Sequence, residues 1–363
     1  MNGFYENGDF FLKYRNEKLF NDKNSVEECM KHFDKDGDQA LDLNEFEQLL
    51  KSLFSFSGNA YFMQKPRIKT MFNYFDQNKD HKIQLDELKN FWSKIVKRTL
   101  LPKSALIIVD VQNDFIDGTL TLKKCPAKQN GAEVVPVINN LLEAVPFDTI
   151  VYSLDWHPAD HCSFIENLHL RKLDQNSPIK ENIKILDSVI FEGYPLVEQR
   201  LWPAHCIQDT YGAELHANLK RISEKTDPLG RSVIYVYKGS KSEIDSYSAF
   251  YDNCRLNETT LNADLKNNGI TDIYVCGLAA DVCVAATSFD GLELDYRVIF
   301  IDDATRGVDL EDIDNQKKRL VKNGALVVNS KDVNNMVTCR DRKPELGYAT
   351  FLSLISSKNN QEN

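Results

Sequence analysis

Three side chains in this sequence could carry covalent chemistry if the fold gathered them. Cys283 lies in GLAADVCVAAT (277–287), just past a strand-like apolar run and at the start of a helix-like one. On the first turn of a helix, free backbone N–H groups and the positive end of the dipole favour a thiolate. Asp110 ends the run ALIIVD and offers a carboxylate to take the thiol proton. Lys238, near the end of SVIYVYKG, offers a cation to stabilise both anions. The competing reading of any single cysteine is a small buried hydrophobe, and it is kept for Cys29, Cys254, Cys276 and Cys339.

A second group has the chemistry of metal ligands. DWHPADHCSF (155–164) and LWPAHCIQDT (201–210) supply Asp155, His157 and His205. Two neutral imidazoles and a carboxylate with open positions suit a divalent transition metal, zinc first. His161 and Cys206 are expected to support that site or to pack beside it.

A third group is contiguous. DKDGDQALDLNE (34–45) and DQNKDHKIQLDE (76–87) have the twelve-residue spacing that wraps oxygens around calcium. The first loop offers Asp34, Asp36, Asp38, the Ala40 carbonyl, Asp42 and Glu45. The second offers Asp76, Asn78, Asp80, the Lys82 carbonyl, Gln84 and Glu87. Leu41 and Ile83 fall where paired loops make a short strand contact. Position 6, where a glycine ordinarily takes positive φ, is Gln39 in one loop and His81 in the other.

The elements that must position these groups follow from the apolar pattern. Helical spacing flanks both loops, as in SVEECMKHF and NEFEQLLKSLF, and Ser25 with Glu28 reads as a capping box. VKRTLLPKS (96–104) breaks the periodicity at a proline and marks a linker. Beyond it, β-branched runs at 105–111, 149–156, 232–239, 272–278, 297–302 and 325–330 alternate with helix-like segments at 132–145, 261–269 and 309–324. Runs apolar on both faces predict a sheet covered on both sides. The alternation predicts an α/β, doubly wound, mostly parallel six-stranded sheet, preceded by an all-α domain. In such sheets ligands bind beyond the carboxyl ends of the strands, which is where the thiol, the lysine and the carboxylates fall.

The chain has 363 residues, formal charge −10 and eight cysteines without a CxxC pair. That balance disfavours nucleic acid and anionic membrane as partners and favours a cationic ligand. Free thiols and the lack of an apolar leader or membrane span predict a cytoplasmic protein, with the nucleus as a second location.

In order along the chain, IIVDVQNDF, DWHPADHCSF, LWPAHCIQDTYGAEL, KGSKSEIDSYSAFYD and GLAADVCVAAT resemble the isochorismatase-like cysteine hydrolases, and within them the nicotinamidases, over about residues 103–330. Residues 20–98 resemble an EF-hand pair, an arrangement similar to that of animal nicotinamidases. The resemblance implies domains at 1–98 (calcium-binding), 103–335 (isochorismatase-like hydrolase) and 336–363 (an extension with a disordered end). It implies a triad of Asp110, Lys238 and Cys283, and zinc or another divalent metal on Asp155, His157 and His205. An oxyanion hole would form from the Ala279 and Cys283 N–H groups, with Phe115, Trp202 and Tyr247 around a pyridine ring. The implied substrate is nicotinamide, with pyrazinamide-like analogues open to the same chemistry and no oligomeric state specified. The family commonly has Thr-Asp-Tyr or Thr-Asp-Val before the cysteine; here it is Ala280, Asp281 and Val282. Other readings are a different small-amide hydrolase of the same superfamily, isochorismatase proper, and a calcium-responsive binding module whose hydrolase domain is inactive.

Overall fold

The apolar runs past residue 103 build one six-stranded sheet because each is too hydrophobic to leave a face in water. The structure, a computed structural model, describes residues 9–193, 196 and 198–359. It divides into two units, residues 1–103 with 332–363, and residues 104–331.

In the first unit, helices α1 (Ser25–Phe33) and α2 (Leu43–Leu53) bracket one acidic loop, and α3 (Lys65–Phe75) and α4 (Leu85–Phe91) bracket the other. The loops pair through two-residue strands β1 (Ala40–Leu41) and β2 (Ile83–Gln84), with Leu41 opposite Ile83. Phe33, Phe46, Phe72, Phe75 and Phe91 share one core. The capping box expected at Ser25 does not form. The α1 cap is Asn24 without a side-chain bond, Ser25 Oγ donates to the Leu19 carbonyl, and Glu28 is drawn away by Lys13 and Tyr14. Capping boxes form instead at Asp42 with Glu45 and at Gln84 with Glu87, so positions 9 and 12 of each loop also start the helix that leaves it.

The C-terminal segment was expected to have a disordered end. Up to Asn359 this segment is a helix, Pro344–Asn359, with Leu346, Thr350 and Phe351 buried in the first unit; residues 360–363 lie outside the described residues, as do residues 1–8.

In the second unit the strands are β3 (Ser104–Val109), β4 (Thr149–Asp155), β5 (Ser232–Lys238), β6 (Asp272–Leu278), β7 (Arg297–Arg306) and β8 (Leu326–Val328). All pair in parallel, in the order β8-β7-β6-β3-β4-β5. Helices α5 (Val134–Ala144), α6 (Leu261–Asn267), α7 (Cys283–Glu293) and α8 (Leu310–Lys322) make the crossovers. The chain runs outward from β3 to β5, then returns to lay β6 on the other side of β3. The switch point, where a crevice opens, is therefore between β3 and β6. One expectation fails at the edge: β5 exposes Tyr235 and Tyr237, because the last strand has no neighbour on one side and its outer face is not fully covered. The segment between Cys162 and Trp202 contains a small antiparallel hairpin, Ser188–Ile190 against Glu198–Arg200.

Candidate active site

Strand ends bring the chemistry together. Asp110 directly follows β3, Asp155 ends β4, Lys238 ends β5 opposite Asp155, and Cys283 opens α7 after β6. Asp110 and Ala279 take positive φ, 52° and 58°, in the left-handed region that non-glycine residues avoid. Such strain persists only where surrounding structure enforces it, and here it falls on both sides of the switch point.

Lys238 is the hub. Its Nζ lies 2.9 Å from Asp110 Oδ2 and 3.4 Å from Cys283 Sγ, donates to the Ser246 carbonyl at 3.0 Å, and contacts Asp155 Oδ1. Ser153 Oγ donates to the other Asp110 oxygen at 2.6 Å. Asp110, Asp155 and Cys283 place ligand-type atoms within 4.8 Å of one another, all buried. Burial pushes the Asp110 carboxyl up, against the opposing pull of Lys238. Burial also pushes the Cys283 thiol well above its ordinary range, with Lys238 as the main opposing influence. Burial alone would lower Lys238, but Asp110 and Asp155 outweigh it and hold the ammonium charged. The resting site is therefore a protonated thiol beside a carboxylate of raised basicity, joined through a permanent cation. A thiol proton can pass to Asp110 within that group, whereas Cys206 and Cys276 are raised by burial and have no lysine hydrogen bond.

The second cluster adjoins the first through Asp155. His157 Nε2 and His205 Nε2 lie 3.6 and 3.7 Å from Asp155 Oδ2. Their Nδ1 atoms face the Gly239 and Pro203 carbonyls at 2.9 and 2.8 Å. An Nδ1–H donated to a carbonyl leaves the Nε2 lone pair free, so both imidazoles aim acceptors at one point with Asp155. That donor set fits a divalent transition metal. Gly239 has φ 66°, and a Cβ there would sit 2.3 Å from His157 Cε1, so only glycine allows both the turn and the ring.

His161, expected to support or pack, lies with its ring centroid 4.1 Å from that of His157 and its Nδ1 2.7 Å from Ser163 Oγ; its Nε2 is buried without a hydrogen-bond partner. Burial pushes it down to about 3, so it is neutral. His157, His161 and Asp245 form a further buried group within 4.8 Å. Asp245 was not singled out by sequence reasoning, although it lies inside the quoted motif KGSKSEIDSY. Gln112 was also missed. It accepts from the Asp155 N–H at 2.9 Å and donates to the Asp155 and Ala213 carbonyls, holding the end of β4. A buried glutamine one residue past the strand-end region of DVQNDF was its only sequence signal. Asp114 is a third: its carboxylate accepts from the Cys206 N–H at 2.7 Å and fixes the turn after His205.

A pocket opens onto both clusters. Phe115, Trp202, Tyr247, Ala279 and Cys283 line it with Asp155, His157 and His205.

In the first unit, Asp34, Asp36 and Glu45 offer oxygens within 4.8 Å of one another. Gln39 and His81 adopt φ 69° and 67°, so the loops make the turn without glycine. Asp76 Oδ1 is buried with no hydrogen-bond partner, which fits an oxygen meant for a cation. Asp38 is in contact with the Lys82 ammonium.

Residues 104–332 match the isochorismatase domain family, and residues 23–93 match the EF-hand domain pair. The chain is 34% identical to the nicotinamidase of Escherichia coli strain K12 over 214 residues, 58% of this chain and 86% of that one. Among solved structures, an Acinetobacter baumanii nicotinamidase pyrazinamidase is similar with TM-score 0.53 and 31% identity, covering 64% of this chain and 98% of that one. The yeast nicotinamidase Pnc1p bound to the inhibitor nicotinaldehyde is similar with TM-score 0.51 and 27% identity, covering 62% and 99%.

Proposed function

The chain belongs to the isochorismatase domain family, and we propose from that premise that its pocket hydrolyses nicotinamide to nicotinate and ammonia, a reaction of NAD salvage. It is an amidohydrolase. The observation that carries the reading is the convergence of Asp110, Lys238 and Cys283 with Asp155, His157 and His205 at a pocket lined by Phe115, Trp202 and Tyr247.

In this reading Asp110 takes the proton of Cys283 Sγ, and the thiolate attacks the carboxamide carbon. Lys238 stays charged and stabilises the thiolate and carboxylate in turn. The N–H groups of Ala279 and Cys283 receive the tetrahedral oxyanion; each such donor is worth on the order of 3 kcal/mol. Collapse breaks the C–N bond, Asp110 returns its proton to the leaving nitrogen, and ammonia departs. A water molecule, deprotonated by Asp110, then cleaves the Cys283 thioester, and nicotinate leaves with the thiol restored. Phe115, Trp202 and Tyr247 flank the ring. Asp155, His157 and His205 would hold zinc or a similar metal, which supplies a Lewis acid for the ring nitrogen and so selects pyridine amides. The yeast nicotinamidase Pnc1p binds the inhibitor nicotinaldehyde, a pyridine carbonyl compound, which supports a pyridine amide as the substrate.

The acidic loops 34–45 and 76–87 are assigned to calcium. In the domain assignment proposed here, residues 1–98 carry these loops and residues 103–335 carry the hydrolase.

Ammonia release from nicotinamide tests the assignment, using wild type and Cys283→Ala, each metal-stripped and zinc-restored. Wild type is expected to be active and reversibly lost on stripping, with the alanine variant reduced by about 10⁴-fold or more. Cysteine-dependent cleavage of another small amide, with nicotinamide untouched, would overturn the substrate.

A further inference from the structure

Residues 332–359 fold with the EF-hand unit although their sequence carries no calcium-loop pattern. Arg342 anchors them. Its guanidinium is buried and donates to the Leu53 and Ser52 carbonyls at 2.5 and 3.1 Å, the C-terminal end of α2, where a cation meets the negative end of the helix dipole. It also donates to Ser55 Oγ and Asp9 Oδ2, both at 2.7 Å. Tyr61 Oη donates to Asp341 at 2.7 Å and accepts from Lys343 at the same distance.

The helix Pro344–Asn359 then crosses the apolar side of both hands. Gly347 faces Phe54 so closely that a Cβ would come within 2.2 Å of the ring. Tyr348 lies beneath Arg67, 4.7 Å from guanidinium to centroid. Phe351, fully buried, has its centroid 5.3 Å from Tyr74 and 6.4 Å from Phe75. Phe54 follows α2, the helix that leaves the first loop, and Tyr74 with Phe75 end α3, the helix that enters the second.

We propose that the EF-hand pair holds the chain's own segment 341–355 as its target, and that docking of this segment and calcium binding strengthen each other. The inference rests on the reading of the two loops as calcium sites. Calcium pulls the position-12 glutamate, and with it the leaving helix, toward the ligands of the entering one. The segment grips the far end of α2 and the last turn of α3, so any change in their relation changes what Arg342, Gly347 and Phe351 touch. A coupling of this kind is reciprocal by necessity. The direction follows from two features of the docked state. Asp34, Asp36 and Glu45 are already gathered within 4.8 Å, and Gln39 and His81 are already held in the left-handed turn that their side chains disfavour. Docking offsets the strain that would otherwise weaken the loops.

The test uses the full chain and calcium chloride, with calorimetric titration and amide hydrogen exchange read at residues 346–356. Calcium is expected to slow exchange across that helix about tenfold, and Gly347→Val to weaken calcium about tenfold. Leu352→Ala, on the exposed side of the helix, should leave affinity unchanged, and Glu45→Gln should reduce calcium's effect on exchange. Tyr348→Ala gives the same direction as Gly347→Val should the latter not fold. Calcium binding with wild-type affinity in the folded Gly347 or Tyr348 variant, with exchange in the segment indifferent to the ion, overturns the coupling alone. Wild type giving no heat with calcium overturns the loop assignment and the coupling with it.

Discussion

Asp110 and Asp155 lie at 0% and 4% exposure around one lysine, whereas Asp36 and Asp80 stand in exposed loops, each accepting an N–H from two residues further on in its own turn. Both regions are carboxylate-rich, yet the physics differs. In the hydrolase unit burial raises Asp110, whereas at Asp155 the Lys238 charge outweighs burial and holds the carboxyl well below the usual carboxylate range. Two aspartates a few ångströms apart thus become a proton acceptor and a permanent anion, because each has a different set of neighbours. In the acidic loops water screens the charges, and the Lys82 hydrogen bond holds Asp38 below its ordinary value without creating a base. Exposure leaves those oxygens available to a hard cation.

The contrast breaks most sharply at Asp110. Asp110→Asn removes the proton acceptor but keeps the shape, and kcat/KM should fall by about 10²- to 10⁴-fold. The sign of the pH dependence follows from the raised carboxyl: Asp110 works ionised, so wild-type activity is lost as pH falls through its elevated pKa. The acid limb of kcat/KM should therefore lie above about 3.9, the ordinary aspartate value. A limb at or below that value, or a variant retaining most of its rate, would mean that burial does not set this carboxylate's role.

Gly239→Val sharpens the same point one step from the ligands. The new side chain drives into His157 and should lower zinc affinity by about 10- to 100-fold, measured by competition with a chelator. Unchanged affinity would show that the imidazole has room the packing does not indicate.

The smallest effect belongs to the exposed region. Lys82→Gln frees Asp38 from its ammonium partner and should tighten calcium binding by only about twofold to fivefold, an effect that shrinks with added salt. A change of a hundredfold would mean the loops behave like the buried site.

What could be read in advance divides along the same line. Each acidic loop is a contiguous stretch, so its candidate oxygen donors and the Leu41–Ile83 pairing were legible from spacing alone. The six strands were legible because continuous β-branched runs between helical segments have few alternatives. Asp110, Asp155, Lys238 and Cys283 stood out because each ends a strand or opens a helix and lies in a motif of the family. Gln112, Asp114 and Asp245 lie in the same motifs, but their partners are the Asp155 backbone, the Cys206 N–H and the buried imidazoles, 43 or more residues away for the first two. The Ser25 capping box was misread because Lys13 and Tyr14, 15 and 14 residues before Glu28, compete for its carboxylate.

By itself the sequence determined the two kinds of unit, the order of strands and helices along the chain, and the residue types able to act as nucleophile, base and ligands. Local spacing and hydrophobic period carry that information. Only the tertiary structure decided that β6 returns beside β3 and so faces Cys283 toward Asp110, that Gly239 leaves space for His157, and that residues 344–355 pack onto the EF-hand pair. These are close approaches between distant segments, fixed by packing and burial rather than by the residues next in line.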